Sequence, residues 1–98
     1  MTELPTAETF VPHTEKLFHP RGWHGAVTLV SVDSRPRPGW DTMPIKPFCL
    51  FFRGPHDDIL PEGFYTFDVE GAAAFDFYIA PIHTPASAQH QEYQAVFG

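Results

Sequence analysis

Histidines come first among the residues whose type suggests chemistry, and the chain has six. His13, His19 and His24 precede the β-branched run at 26–33, and His83 and His90 share the last long connection. Structural zinc takes four nitrogen or sulfur ligands and catalytic zinc three, held on rigid elements at regular spacing. Here Pro20 and Gly22 stand between His19 and His24, and the chain has neither Cys-x-x-Cys nor His-x-x-x-His. The histidines read as solvent-facing or locally hydrogen-bonded, and no metal or other cofactor is expected. Cys49, the single cysteine, would need a base and solvent access to act as a nucleophile. Its neighbours are Phe48 and Leu50, so a buried structural thiol is expected.

The carboxylates Glu62, Asp68, Asp76 and Glu92 supply acids, but glycosidase-type chemistry needs two carboxyls facing across a cleft. Asp68 and Asp76 alternate with aromatic residues and belong on the outward faces of their strands. His56, Asp57 and Asp58 follow Gly54-Pro55 and read as turn chemistry rather than a calcium loop. Ser31, Ser34 and Ser87 are the serines, and none sits in Gly-x-Ser-x-Gly. A glycine-rich phosphate loop is absent as well. No catalytic residue is assigned.

One segment stands apart: RPRPGW at 35–40. It holds two of the four arginines, alternating with prolines, and ends on a tryptophan. Proline stiffens the chain, so ordering it on a partner costs less. Arg and Trp are the types that most often anchor interfaces. Arg35, Arg37 and Trp40 are the candidate partner-binding residues; the competing reading is a lid, with Trp40 folded over the sheet and the arginines paired to surface acids.

The elements that would position these groups are strands. PFCLFFRGP at 47–55 sets Phe48, Leu50 and Phe52 on one face and Cys49 and Phe51 on the other. A strand apolar on both faces asks for cover on both, so it is placed at the centre of the core. Further strands are expected at 16–19, 26–33, 64–69, 74–80 and 92–97, and a turn or two of helix at 6–10 behind Pro5. Phe48, Leu50, Phe52, Phe75, Phe77, Ile79, Tyr93 and Phe97 are expected to form one core. The fold class is all-β, a small antiparallel barrel or sandwich of about six short strands with a short N-terminal helical turn. The connection at 34–47 is long for a compact domain, which favours a functional role for it.

Ninety-eight residues make one domain, 1–98, and ten phenylalanines enlarge the area each residue can bury. The formal net charge of −6 disfavours nucleic acid as a partner. The opening residues MTELPTAETF lack the basic and apolar regions of a secretory signal, and no apolar run approaches a membrane span. A cytoplasmic location without membrane insertion is the expectation.

The motif series PFCLFFRGP, LPEGFYTF (60–67), FYIAPI (77–82) and YQAVF (93–97) resembles that of a family of small uncharacterised bacterial β-domain proteins. Such proteins are often encoded beside phage tail-fibre-like proteins with collar domains. The resemblance implies an accessory, structural role near a fibre-like assembly, and it attributes no catalytic residues. The expected function is a non-enzymatic interaction module whose partner is a protein, a tail-fibre-like subunit or a second copy of the chain. It would bind through a sheet edge or the 34–47 loop. The alternative is a small-ligand-binding barrel or enzyme with a mouth lined by Tyr65, Tyr78, Trp23 and nearby histidines.

Overall fold

Six antiparallel strands close into a barrel in a computed structural model that describes residues 5–34, 47–82, 84 and 88–97. The strands are β1 (Leu17–Pro20), β2 (Val27–Asp33), β3 (Phe48–Pro55), β4 (Gly63–Val69), β5 (Phe75–Pro81) and β6 (His90–Phe97). Around the ring the order is β1-β2-β3-β6-β5-β4, and β4 pairs back onto β1. Of the two architectures left open by the sequence, the barrel is the one adopted. Helix α1 (Ala7–Phe10) runs into a 3₁₀ turn at Val11–His13. The Thr6 N–H donates to Thr9 Oγ1 at 3.0 Å, tying the start of this short helix. Among the described residues, no helix is long and apolar enough to cross a membrane.

Alternation decides which side chains go inside. On β3, Phe48, Leu50 and Phe52 are buried while Cys49, Phe51 and Arg53 are half-buried. On β5, Phe77 and Ile79 are buried and Asp76 and Tyr78 exposed. A bulge between Leu29 and Ser31 shifts the β2–β3 register, and Val32 returns opposite Leu50. The interior is filled by rings: Phe67 and Phe77 stack at 4.1 Å, and Phe52 lies 5.8 Å from Phe77.

Both ends of the barrel are stoppered from within the chain. At one end α1 drops Phe10 among Phe75 (4.9 Å), Phe97 (5.4 Å) and Phe48 (5.9 Å). At the other end, the β3–β4 connection turns Leu60 inward until it is fully buried. Its N–H donates to the Tyr93 hydroxyl at 2.8 Å, so the plug is fixed to β6. Gly54 faces the interior beside this plug. A Cβ there would lie 3.3 Å from both the Tyr93 ring and Val27, so glycine leaves room for them.

The expected core holds with two adjustments. Phe75 and Phe97 are only partly buried, packed against the core rather than within it. Phe10, Phe18, Val27, Leu29, Leu60, Phe67 and Val69 join it. Cys49 is not buried as expected: it lies on the outer face of β3, half-exposed, with the Gln94 amide 3.8 Å from its sulfur. A strand in a closed barrel has one inward face, so the apolar outer face of β3 is not enclosed as it would be between two layers.

Candidate functional site

The outer wall of β4 and β5 carries the most exposed aromatic surface among the described residues. Phe64 and Tyr78 are directly paired across these strands, 69% and 49% exposed. Phe64 shares its face with Thr66 and Asp68, and Tyr78 with Asp76, because side chains alternate. Each polar neighbour is held. The Tyr78 hydroxyl donates to Glu62, Thr66 Oγ1 donates to Asp76 at 2.6 Å, and Arg21 grips Asp68 through two bonds of 2.9 and 2.8 Å. Arg21 is aimed by its own N–H, which donates to the Thr66 carbonyl at 2.9 Å.

Electrostatics follow from these contacts. The bond to Glu62 favours the neutral phenol, so Tyr78 ionises above its ordinary value. The bonds from Arg21 hold the Asp68 carboxyl below its ordinary value and push the guanidinium of Arg21 up. Arg21 pairs with Asp68 and also feels the charge of Asp76, while Glu62 and Asp76 each accept a bond from a hydroxyl. A carboxylate has about four acceptor sites, so both keep capacity for a cation. The site is an aromatic pair with an acidic fringe.

The patch borders a thin seam in the wall. β3 and β6 pair over eight residues, but the β5–β6 pairing is limited to Ala80↔Gln94 and Pro81↔Tyr93. The Ile82 N–H adds a bond to the Glu92 carbonyl at 2.9 Å. Two residues along each strand from Ala80↔Gln94, the register brings Tyr78 and Val96 to opposite sides of the seam. Val96 points outward and is 66% exposed.

The residues singled out by sequence fare differently. Arg35, Arg37 and Trp40 lie outside the described residues, as does the lid reading of Trp40. Tyr65 and Tyr78 do not line one mouth: Tyr65 lies against the buried Phe67 ring at 5.9 Å and donates to the Pro61 carbonyl, while Tyr78 is on the outer wall. Trp23 packs against the core, its ring 4.9 Å from that of His24. His24 Nε2 contacts Asp58 at 2.5 Å, clipping two connections at the Leu60 end together. His13 is half-buried; desolvation, then the nearby Lys16, holds its pKa below the ordinary value. Among the described residues, no three His, Cys, Asp or Glu side chains are grouped to hold a metal ion. Two shallow hollows lie outside the wall, of about 410 Å³ (Glu15, Lys16, Leu17, Glu70) and about 320 Å³ (near Thr28, Arg53 and His90).

Sequence reasoning missed Phe64 and Tyr78 as a pair. The signal was present: Phe64 has the parity of Asp68, and Tyr78 that of Asp76, both expected to face out. Which strands would stand side by side was not available. A family model described as a domain of unknown function, DUF6916, matches residues 5–97. No curated protein and no solved structure matches the chain.

Proposed function

The chain belongs to the DUF6916 family, and we propose that this domain is a non-enzymatic protein-interaction module that receives its partner on the outer wall of the barrel. The observation that carries this reading is the exposed Phe64–Tyr78 pair on two rigid, mutually paired strands. Exposed aromatic surface is costly to leave in water and marks interaction sites, and aromatic side chains with few rotatable bonds lose little entropy when a partner covers them. The interior, by contrast, is occupied by the chain's own rings and stoppered by Phe10 and Leu60, which weighs against a ligand held inside. Arg35, Arg37 and Trp40 remain proposed as a second, cationic contact. The finer reading, an accessory to a tail-fibre-like assembly, is supported by the motif resemblance alone.

The test is affinity capture from the native host with the parent and with Phe64→Ser/Tyr78→Ser, followed by mass spectrometry and by binding to the purified partner. A partner bound by the parent and lost by the double variant, with an unchanged melting temperature, supports the reading. Equal binding by both moves the interface elsewhere. A small metabolite that raises the melting temperature of both proteins equally would favour the ligand-binding alternative.

A further inference from the structure

We infer that the seam between β5 and β6 accepts an extended segment of a partner protein as an added β-strand. This rests on the interaction-module reading and gives the form of its partner: a strand rather than a folded surface. In an antiparallel ladder the N–H and C=O of one residue point to the same neighbour, and successive residues point to opposite neighbours. The Ile82 N–H donates to the Glu92 carbonyl across the seam, so Ala80 and Gln94, two residues along, face each other there as well. By the same alternation Tyr78 and Asp76 aim their backbone groups into the seam from β5, and Val96 does so from β6. The β5–β6 register ends at Ala80↔Gln94, so these groups have no ladder partner among the described residues.

The opposite edges of the same strands are engaged: β5 pairs with β4 from Gly63↔Ile79 to Phe67↔Phe75, and β6 with β3 as far as Phe48↔Phe97. The equally short β1–β2 pairing is different. There the Leu29 N–H donates to the Lys16 carbonyl at 3.2 Å and the Glu15 N–H to the Leu29 carbonyl at 2.7 Å, which continues the ladder past its last register pair.

Side chains make the open stretch apolar on both of its surfaces. Outside, Tyr78 and Val96 are exposed, with Phe64 beside Tyr78. Inside, Phe77 and the partly buried Phe97 line it, with the Phe10 ring 6.1 and 5.4 Å away. A strand laid in the seam sets alternate side chains on these two surfaces. Phe64, Tyr78 and Val96 alone fall far short of the roughly 20–30 residues a side that join two folded proteins stably. Free ladder groups add affinity only for another extended backbone, as in strand addition at a sheet edge. The partner segment is therefore short, free of proline where it bonds, and apolar at alternate positions. Entry widens the seam, since a strand between two others needs about 10 Å, twice the strand spacing. Ala80↔Gln94 serves as the hinge, and few ladder bonds resist the opening.

The experiment begins with amide hydrogen exchange of the purified full chain. Asp76, Tyr78 and Val96 are expected to exchange faster than Phe77 and Ile79, which lie in the β4 ladder. Short random synthetic peptides are then selected on the chain, and each binder is remade with single backbone amides N-methylated. Methylation at bonding positions is expected to weaken binding by about tenfold or more, and the parent peptide to slow exchange at Asp76, Tyr78 and Val96. Val96→Pro removes a seam-facing N–H while leaving the β3 ladder its donors, and it should weaken binding similarly. If that variant does not fold, exchange and N-methylation decide alone. Slow exchange at all three amides in the free chain overturns the inference, as does a selection that returns no binder. Peptides that tolerate every methylation but are lost with Phe64→Ser/Tyr78→Ser dock by side chains only. The added-strand inference then falls and the interaction-module reading stands.

Discussion

Two tyrosines use their hydroxyls in opposite roles. Tyr93 is buried, and its oxygen accepts the Leu60 N–H at 2.8 Å. Tyr93→Phe would keep the ring but strand that N–H without water or partner, so unfolding free energy in urea is expected to drop by about 1–3 kcal/mol. Tyr78 is exposed, and its hydroxyl donates to Glu62. Because the fold favours the neutral phenol, this contact contributes fully below the ordinary phenol pKa and is lost as pH rises through the raised one. An NMR titration of the tyrosine ring carbons should find Tyr78 ionising above a free tyrosine, and Glu62→Gln should return it toward the ordinary value. Asp68 runs the other way: with its pKa lowered by Arg21, its contribution is present above the ordinary carboxylate value and disappears as pH falls through the lowered one. Phe64 shows how much of the site a residue-level reading reaches. Its parity with Asp68 announces an outward phenylalanine, but its exposure depends on what the adjacent strand places beside it.

At the scale of elements, β3 and β6 form the longest ladder of the wall, whereas the β5–β6 seam, like β1–β2, is held by two register pairs. Backbone groups with few ladder partners open at lower cost than those in a long ladder. Native-state hydrogen exchange should therefore release amides along the β5–β6 seam before those of the β3–β6 ladder. Uniform protection across both would contradict this. Gly54 marks a second constraint on β3. Its alternation points inward, where Tyr93 and Val27 already occupy the space. Gly54→Val is expected to destabilise by about 1–3 kcal/mol through overpacking, measured by chemical denaturation. Glycine before proline usually closes a strand. Here the ladder runs on through Gly54↔Gln91 to Pro55↔His90.

At the scale of the molecule, closure of the sheet and its two stoppers act together. β6 joins β3 to β5, so removing residues 93–98 opens the ring along two strands and removes Tyr93, the anchor of Leu60. Such a truncation should show no cooperative melt by circular dichroism. At the other end, Phe10→Ala withdraws a ring that touches Phe18, Phe48, Phe75, Phe77 and Phe97. A loss of about 3–5 kcal/mol is expected in the same denaturation assay, as for other buried aromatics. A change below about 1 kcal/mol would mean that α1 only rests on the barrel.

Strand positions and inward faces were legible in the sequence because both follow from local rules: side chains alternate along a strand, and Gly and Pro interrupt it. Phe48-Leu50-Phe52 and Phe77-Ile79 point inward for that reason alone, and the short strands by themselves exclude a helical domain. Tertiary structure decided what depends on which strand lies next to which. Barrel rather than sandwich, the exposure of Cys49, the burial of Phe10 and Leu60 and the meeting of Phe64 with Tyr78 all belong to that class. These are contacts between segments far apart in the chain. A strand carries the period of its own side chains but no mark of the neighbour that will pair with it, so only the pairing of β4 with β5 could bring the aromatic pair and its acids onto one face.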